Sequence, residues 1–85
     1  MPLTVRLDKR SANYLESLDA PTRKRVKEKL KAIAENPTDL RLSKPLTGNN
    51  RRSARVGKYR ILVLIEGDVL LVSAIGSRGQ VYRDM

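Results

Sequence analysis

The chain contains no cysteine, histidine, tryptophan or phenylalanine, and only three tyrosines. Without cysteine there is no disulfide framework, no thiolate zinc site and no thiol nucleophile. Without histidine the usual general base is gone, and with it most transition-metal sites. No metal or other cofactor is therefore expected. With so few aromatics the core has to be built from Leu, Ile and Val. The longest apolar run, Ile61 to Ile65, is far too short to span a bilayer. The opening MPLTVRLDKR lacks the apolar region of a secretory leader, so a cytoplasmic location with no membrane partner is expected.

What is abundant is positive charge. Eighteen Lys and Arg against nine Asp and Glu leave a formal charge of +9 in 85 residues, which points to a polyanionic partner. Its distribution says more than its total. From Leu40 to Ile65 there are seven Lys or Arg and no acidic residue, whereas the flanking segments mix both signs. A single-sign stretch sets up a local field that an interspersed surface does not.

Read in order, residues 1–85 form one small domain with no repeat, low-complexity tract or internal boundary. Leu3, Val5 and Leu7 alternate with Thr4 and Arg6, a half-buried strand with Pro2 before it, suited to a sheet edge. Asp8 can cap a first helix, with Ala12, Leu15 and Leu18 on one face. Asp19, followed by Ala20 and Pro21, reads as the cap of a second helix running to about Glu35, with Val26, Leu30, Ile33 and Ala34 inward. Its Arg23, Lys24, Arg25, Lys27, Lys29 and Lys31 read chiefly as a solvated face, with docking on RNA or an acidic partner as the alternative. Asn36-Pro37 stops it, because the residue before proline is driven out of the helical region. The connector to Asn50 carries Leu40, Leu42 and Leu46, enough apolar area to tack it onto the domain.

Gly57-Lys58 and Gly67-Asp68 each read as a two-residue hairpin turn with glycine at the position that needs positive φ. They delimit strands at Arg51 to Val56, Tyr59 to Ile65 and Val69 to Ile75, and Gln80 to Arg83 adds a short last one. The fold class is α+β, with two antiparallel helices on one face of a mainly antiparallel sheet of four to five strands. In the second and third of these strands odd and even positions are alike apolar, so both sheet faces call for burial. Either the sheet curls on itself or a partner covers the second face. Arg51, Ser53 and Arg55 share one face, and Tyr59 and Arg60 point to opposite faces. We expect Arg60 to join the arginines in a phosphate-binding patch.

These residues resemble the RelE/ParE superfamily of toxins from toxin–antitoxin pairs, over essentially the whole length. The resemblance is carried by LSKPLTG, by RVGKYR (Arg55 to Arg60) and by the closing VYR (Val81 to Arg83). RelE-like members cut messenger RNA in the ribosomal A site, with basic residues on the sheet and a tyrosine near the C-terminus. The resemblance implies Arg60, Arg78 and Tyr82 as catalytic residues, with Arg51, Arg52, Arg55, Lys58 and Lys44 binding RNA. The family's RelE pattern has two lysines on the strand before the hairpin, where this chain has Arg51 and Ser53. It also implies a cognate acidic antitoxin as partner and a toxin that is monomeric alone.

RNA carries its own nucleophile, the 2′-hydroxyl, so the implied reaction needs neither histidine nor metal. Guanidinium groups suit neutralisation of the phosphorane, and their permanent charge makes them poor acids or bases. Tyr82 is left as the proton-transfer group. Two other readings of the sequence are a ParE-like inhibitor that binds DNA gyrase without chemistry, and a basic RNA-binding module without toxicity.

Overall fold

A computed structural model describes residues 2–46 and 51–77. The elements run β1 (Thr4–Leu7), α1 (Lys9–Glu16), α2 (Ala20–Glu35), β2 (Lys44–Pro45), β3 (Arg51–Val56), β4 (Tyr59–Glu66) and β5 (Val69–Ser77). The strands form one sheet in the order β1-β5-β4-β3-β2, antiparallel except where β1 pairs parallel with β5. The two helices pack on one face. The α+β class and the edge position of the first strand are as expected. The expected strand over Gln80 to Arg83, together with Gly48, Arg78 and Tyr82, lies outside the described residues.

Both helices start where the aspartates predict. Asp8 accepts a hydrogen bond from the Ser11 amide at 2.7 Å, and Asp19 accepts from the Thr22 amide at 3.1 Å and the Thr22 hydroxyl at 2.9 Å. Each satisfies a backbone donor that has no partner within the first turn. Arg23 donates to the Leu18 carbonyl at 3.1 Å, closing the short α1–α2 junction, so this one cation of α2 is structural. α2 ends at Glu35, with the Asn36 amide bonded back to the Ala32 carbonyl at 3.0 Å.

Val26, Leu30, Ile33 and Ala34 are all buried, as their spacing predicts. They meet Ala54 and Val56 of β3, Ile61 and Val63 of β4, and Leu70, Val72 and Ile75 of β5. Each large side chain fully buried there contributes about 1.5–3 kcal/mol. α1 departs from the expected stripe. It ends at Glu16, so Leu18 follows it, and Ser11 rather than Ala12 is buried beside Leu15. A hydroxyl-bearing residue one turn before Leu15 carries no apolar signal. The connector also differs in part: Leu42 packs against the core, but Leu40 is 64% exposed.

Both hairpins form at the predicted glycines, Gly57 at φ 56° and Gly67 at φ 58°. The puzzle of two apolar faces has a partial answer in β5. Leu62 pairs with Ala74 and Val63 with Val72, so Ser73 is an extra residue in a β-bulge. Its hydroxyl donates to the Leu62 carbonyl at 3.3 Å. Leu70 and Val72 face the helices before the bulge, and Ile75 does so after it, because the extra residue inverts the parity. On the other face Leu62 is buried, whereas Leu64 and Leu71 are half-buried.

Candidate nucleic-acid interface

The β3–β4 register decides which cations come together. Arg51 lies opposite Leu64, Ser53 opposite Leu62 and Arg55 opposite Arg60, while Ala54 opposes Ile61 on the helix side. Directly opposed residues of an antiparallel pair share a face. Arg51, Ser53, Arg55 and Arg60 therefore stand together on the face away from the helices, as the alternation predicts. Lys44 of β2, paired with Ser53, joins them from the sheet edge. Arg55 and Arg60 are a like-charge cross-strand pair, an arrangement that costs stability in an isolated sheet.

Tyr59 takes the opposite face. Its ring meets that of Tyr14 edge-on, with centroids 6.4 Å apart and planes at 73°, so both tyrosines pack on the helix side. Lys58 places its ammonium 5.5 Å from the centre of the Tyr59 ring. It occupies the tip of the hairpin and is not brought to Arg55 and Arg60.

Arg52 corrects the set of expected RNA-binding residues. Even-numbered positions of β3 face the helices, and Arg52 is only 8% exposed there. Its Nε donates to the Ser43 hydroxyl at 2.7 Å and its Nη2 to the Ser43 carbonyl at 3.0 Å. This guanidinium pins the connector to β3. A neighbouring position on a strand points the other way, so Arg51 and Arg52 cannot serve one surface.

Between the connector, α2 and the sheet edge lies a hollow of about 270 Å³. Lys29, Arg41, Lys44, Arg55 and Arg60 line it, with no carboxylate among its described lining residues. The sequence names Lys29 only within the run of α2 cations read chiefly as solvated, and it does not single out Arg41. One is a lysine in a helix crowded with lysines, and the other is a loop arginine distant in the chain from the hairpin. The only signal was the helical period: Lys29 follows Val26 by three residues and precedes Leu30, which turns its stem toward the core side. It is half-buried, whereas Lys24, Lys27 and Lys31 are exposed.

Arg41 is held by Asp39 through Nε at 3.2 Å and Nη2 at 2.9 Å, and the Arg41 amide also donates to Asp39 at 2.9 Å. The side-chain hydrogen bond from Arg41, then that from its amide, hold the Asp39 carboxyl below the usual carboxylate range. This chelate sets the rim of the hollow. Geometry and charge together suit the site to oxyanions, because guanidinium forks match phosphate oxygens and remain charged at any physiological pH.

No protein of curated function matches the chain in sequence at a significant level. Among solved structures, the toxin–antitoxin complex RelBE2 from Mycobacterium tuberculosis contains a chain 28% identical to this one, covering 92% of this chain and 100% of its own, at a TM-score of 0.76. A mutant of the Escherichia coli toxin RelE in the free state is 20% identical, covers 98% and 93%, and reaches 0.84. The archaeal RelE–RelB complex from Pyrococcus horikoshii is 22% identical over 94% and 99%, at 0.78. At such identities the last two attest the fold alone. Residues 5–82 match the profile of the ParE toxin of type II toxin–antitoxin systems, parDE. The chain belongs to the RelE/ParE family of type II toxin–antitoxin toxins.

Proposed function

We propose that the protein inhibits translation by cutting ribosome-bound messenger RNA. The observation that carries this reading is the opposed Arg55–Arg60 pair beside Lys44 on one sheet face. A ligand with dense negative charge offsets the mutual repulsion of such a pair, and a phosphorane carries more charge than the diester from which it forms. Arg60 and Arg55 neutralise that charge. The family resemblance adds Arg78 as a further cation and Tyr82 as the proton-transfer group. Arg51 and Lys44 hold the flanking strand of RNA.

In the step itself the message's 2′-oxygen bonds to the adjacent phosphorus as the bond to the 5′-oxygen breaks. Tyr82 in its phenolate form takes the proton from the 2′-hydroxyl, and a water molecule protonates the departing 5′-oxygen. A site without a tuned base depends on alignment, and positioning by the ribosome can be worth up to about 7–11 kcal/mol. Products with a 2′,3′-cyclic phosphate and a 5′-hydroxyl are expected, with little cutting of free RNA. An acidic antitoxin, by analogy with the complexes of the RelE relatives, covers the basic face and the half-buried Leu64 and Leu71.

A second reading is supported by the ParE profile and by Ser53 at the place of a family lysine: a gyrase inhibitor that does no chemistry. Inducing the protein in cells distinguishes the two. Translation should stop first, and in a translation extract the message should be cut in the presence of chelator by the wild type but not by folded Arg60→Ala. Arrest of DNA replication ahead of translation, with intact messages, would replace the nuclease by the gyrase reading.

A further inference from the structure

We infer that the hollow beside the arginine pair is a nucleotide subsite, in which Lys29 binds a backbone phosphate next to the one being cut and Leu40 receives the base. The inference rests on the RNA-cleaving reading above and extends it to residues outside the hairpin. Three observations converge on this hollow. Lys29 is the half-buried lysine of α2 and lines a space already occupied by Lys44, Arg55 and Arg60. Drawing a further ammonium into like-charged company costs energy, while its neighbours Lys27 and Lys31 stay in water. The helical period turns the Lys29 stem toward the core side, and a bound phosphodiester offsets the repulsion that its ammonium meets beside the other cations of the hollow.

Leu40 is the second observation. It is the exposed large hydrophobic residue among those described, at 64%, and it sits on the lip of the same hollow. An apolar side chain beside a cationic floor matches a nucleotide, which presents a flat apolar base and a charged phosphate on one unit. An acidic peptide offers the charge without the flat apolar surface. The third is the turn that carries Leu40: the Asp39 carbonyl accepts from the Leu42 amide at 3.0 Å and from the Ser43 amide at 3.1 Å, closing the chain around Leu40 and Arg41 at the edge of the hollow. The volume, about 270 Å³, lies near the lower end of ligand-pocket sizes and suits one nucleotide rather than a folded partner.

The test uses the full chain and a short single-stranded RNA with 2′-O-methyl sugars, which binds but lacks the nucleophile. Its dissociation constant is followed against salt for the wild type, Lys29→Gln, Leu40→Ser and Lys27→Gln, each checked for an unchanged melt. Lys29→Gln should make the slope of log K against log salt shallower by about 0.7, the loss of one phosphate contact. Leu40→Ser should weaken binding roughly three- to tenfold at an unchanged slope. The exposed Lys27→Gln should change neither. An unchanged slope for Lys29→Gln, an equal loss for Lys27→Gln, or full affinity for Leu40→Ser overturns the subsite. So does a Lys29→Gln defect seen only with a poly-glutamate peptide, which would make the hollow a protein contact. If the RNA binds as described but no ribosome-bound message is cut, the subsite stands and the nuclease reading falls.

Discussion

Arg52 and Arg55 are three residues apart on one strand and have opposite duties. Arg52 is buried and donates two hydrogen bonds to Ser43, so its side chain organises the connector. Arg55 is exposed opposite Arg60, where it repels a like charge. Arg52→Ala should cost about 1–3 kcal/mol, since it strands a buried hydroxyl and carbonyl. Arg55→Ala should leave stability unchanged or slightly raised while lowering affinity for RNA. Urea melts paired with RNA binding check both, and a destabilised Arg55→Ala with intact binding would reverse the assignment. Charge counting cannot separate these two arginines. The parity of the strand can, once one knows that Ala54 and Val56 are the inward residues.

At the scale of elements, the β3–β4 hairpin holds the site because Gly57 lets the chain reverse in two residues. A side chain at φ 56° meets the left-handed penalty, about 1–2 kcal/mol for an L-residue, and a Cβ there would lie 3.3 Å from Arg25 Nη2. Gly57→Ala should therefore lower stability by about that amount, and Gly57→Asn by less, because asparagine tolerates the region. Thermal melts of the two variants test the ranking; an alanine variant as stable as wild type would show that the turn tolerates another geometry. The turns, both helix caps and the inward face of α2 were legible in the sequence, because each follows from local sterics or from a period of 3.6. The bulge at Ser73 was not, since VLLVSAI reads as a uniform apolar strand. Only pairing with Leu62 and Val63 reveals the extra residue.

For the molecule as a whole, a charge of +9 makes acid a stress. The Asp19 carboxyl is held below its ordinary value of 3.8 by the Thr22 hydroxyl and then the Thr22 amide, and Asp39 is held below it by Arg41. A carboxyl depressed in the folded state adds stability above its unfolded value and loses it as pH falls through the folded value, because the unfolded chain binds more protons there. The melting temperature should therefore fall as pH drops below about 4. Asp39→Asn should narrow that fall and should matter least at the acid end. Melts across pH at constant salt check the sign. Protonation of the remaining acids leaves eighteen cations to repel one another and steepens the loss. The sequence by itself determined the starts of both helices, the two hairpin turns, the inward residues of α2 and the concentration of cations around the hairpin, since all of these follow from short-range geometry and composition. It also carried the motifs of the family. The tertiary structure alone decided which cations share a surface, turning Arg52 inward to Ser43 and bringing Lys29 and Arg41 to the edge of Arg55 and Arg60. That choice depends on strand register and on how a helix lies across a sheet, and residues distant in the chain hold no local trace of it.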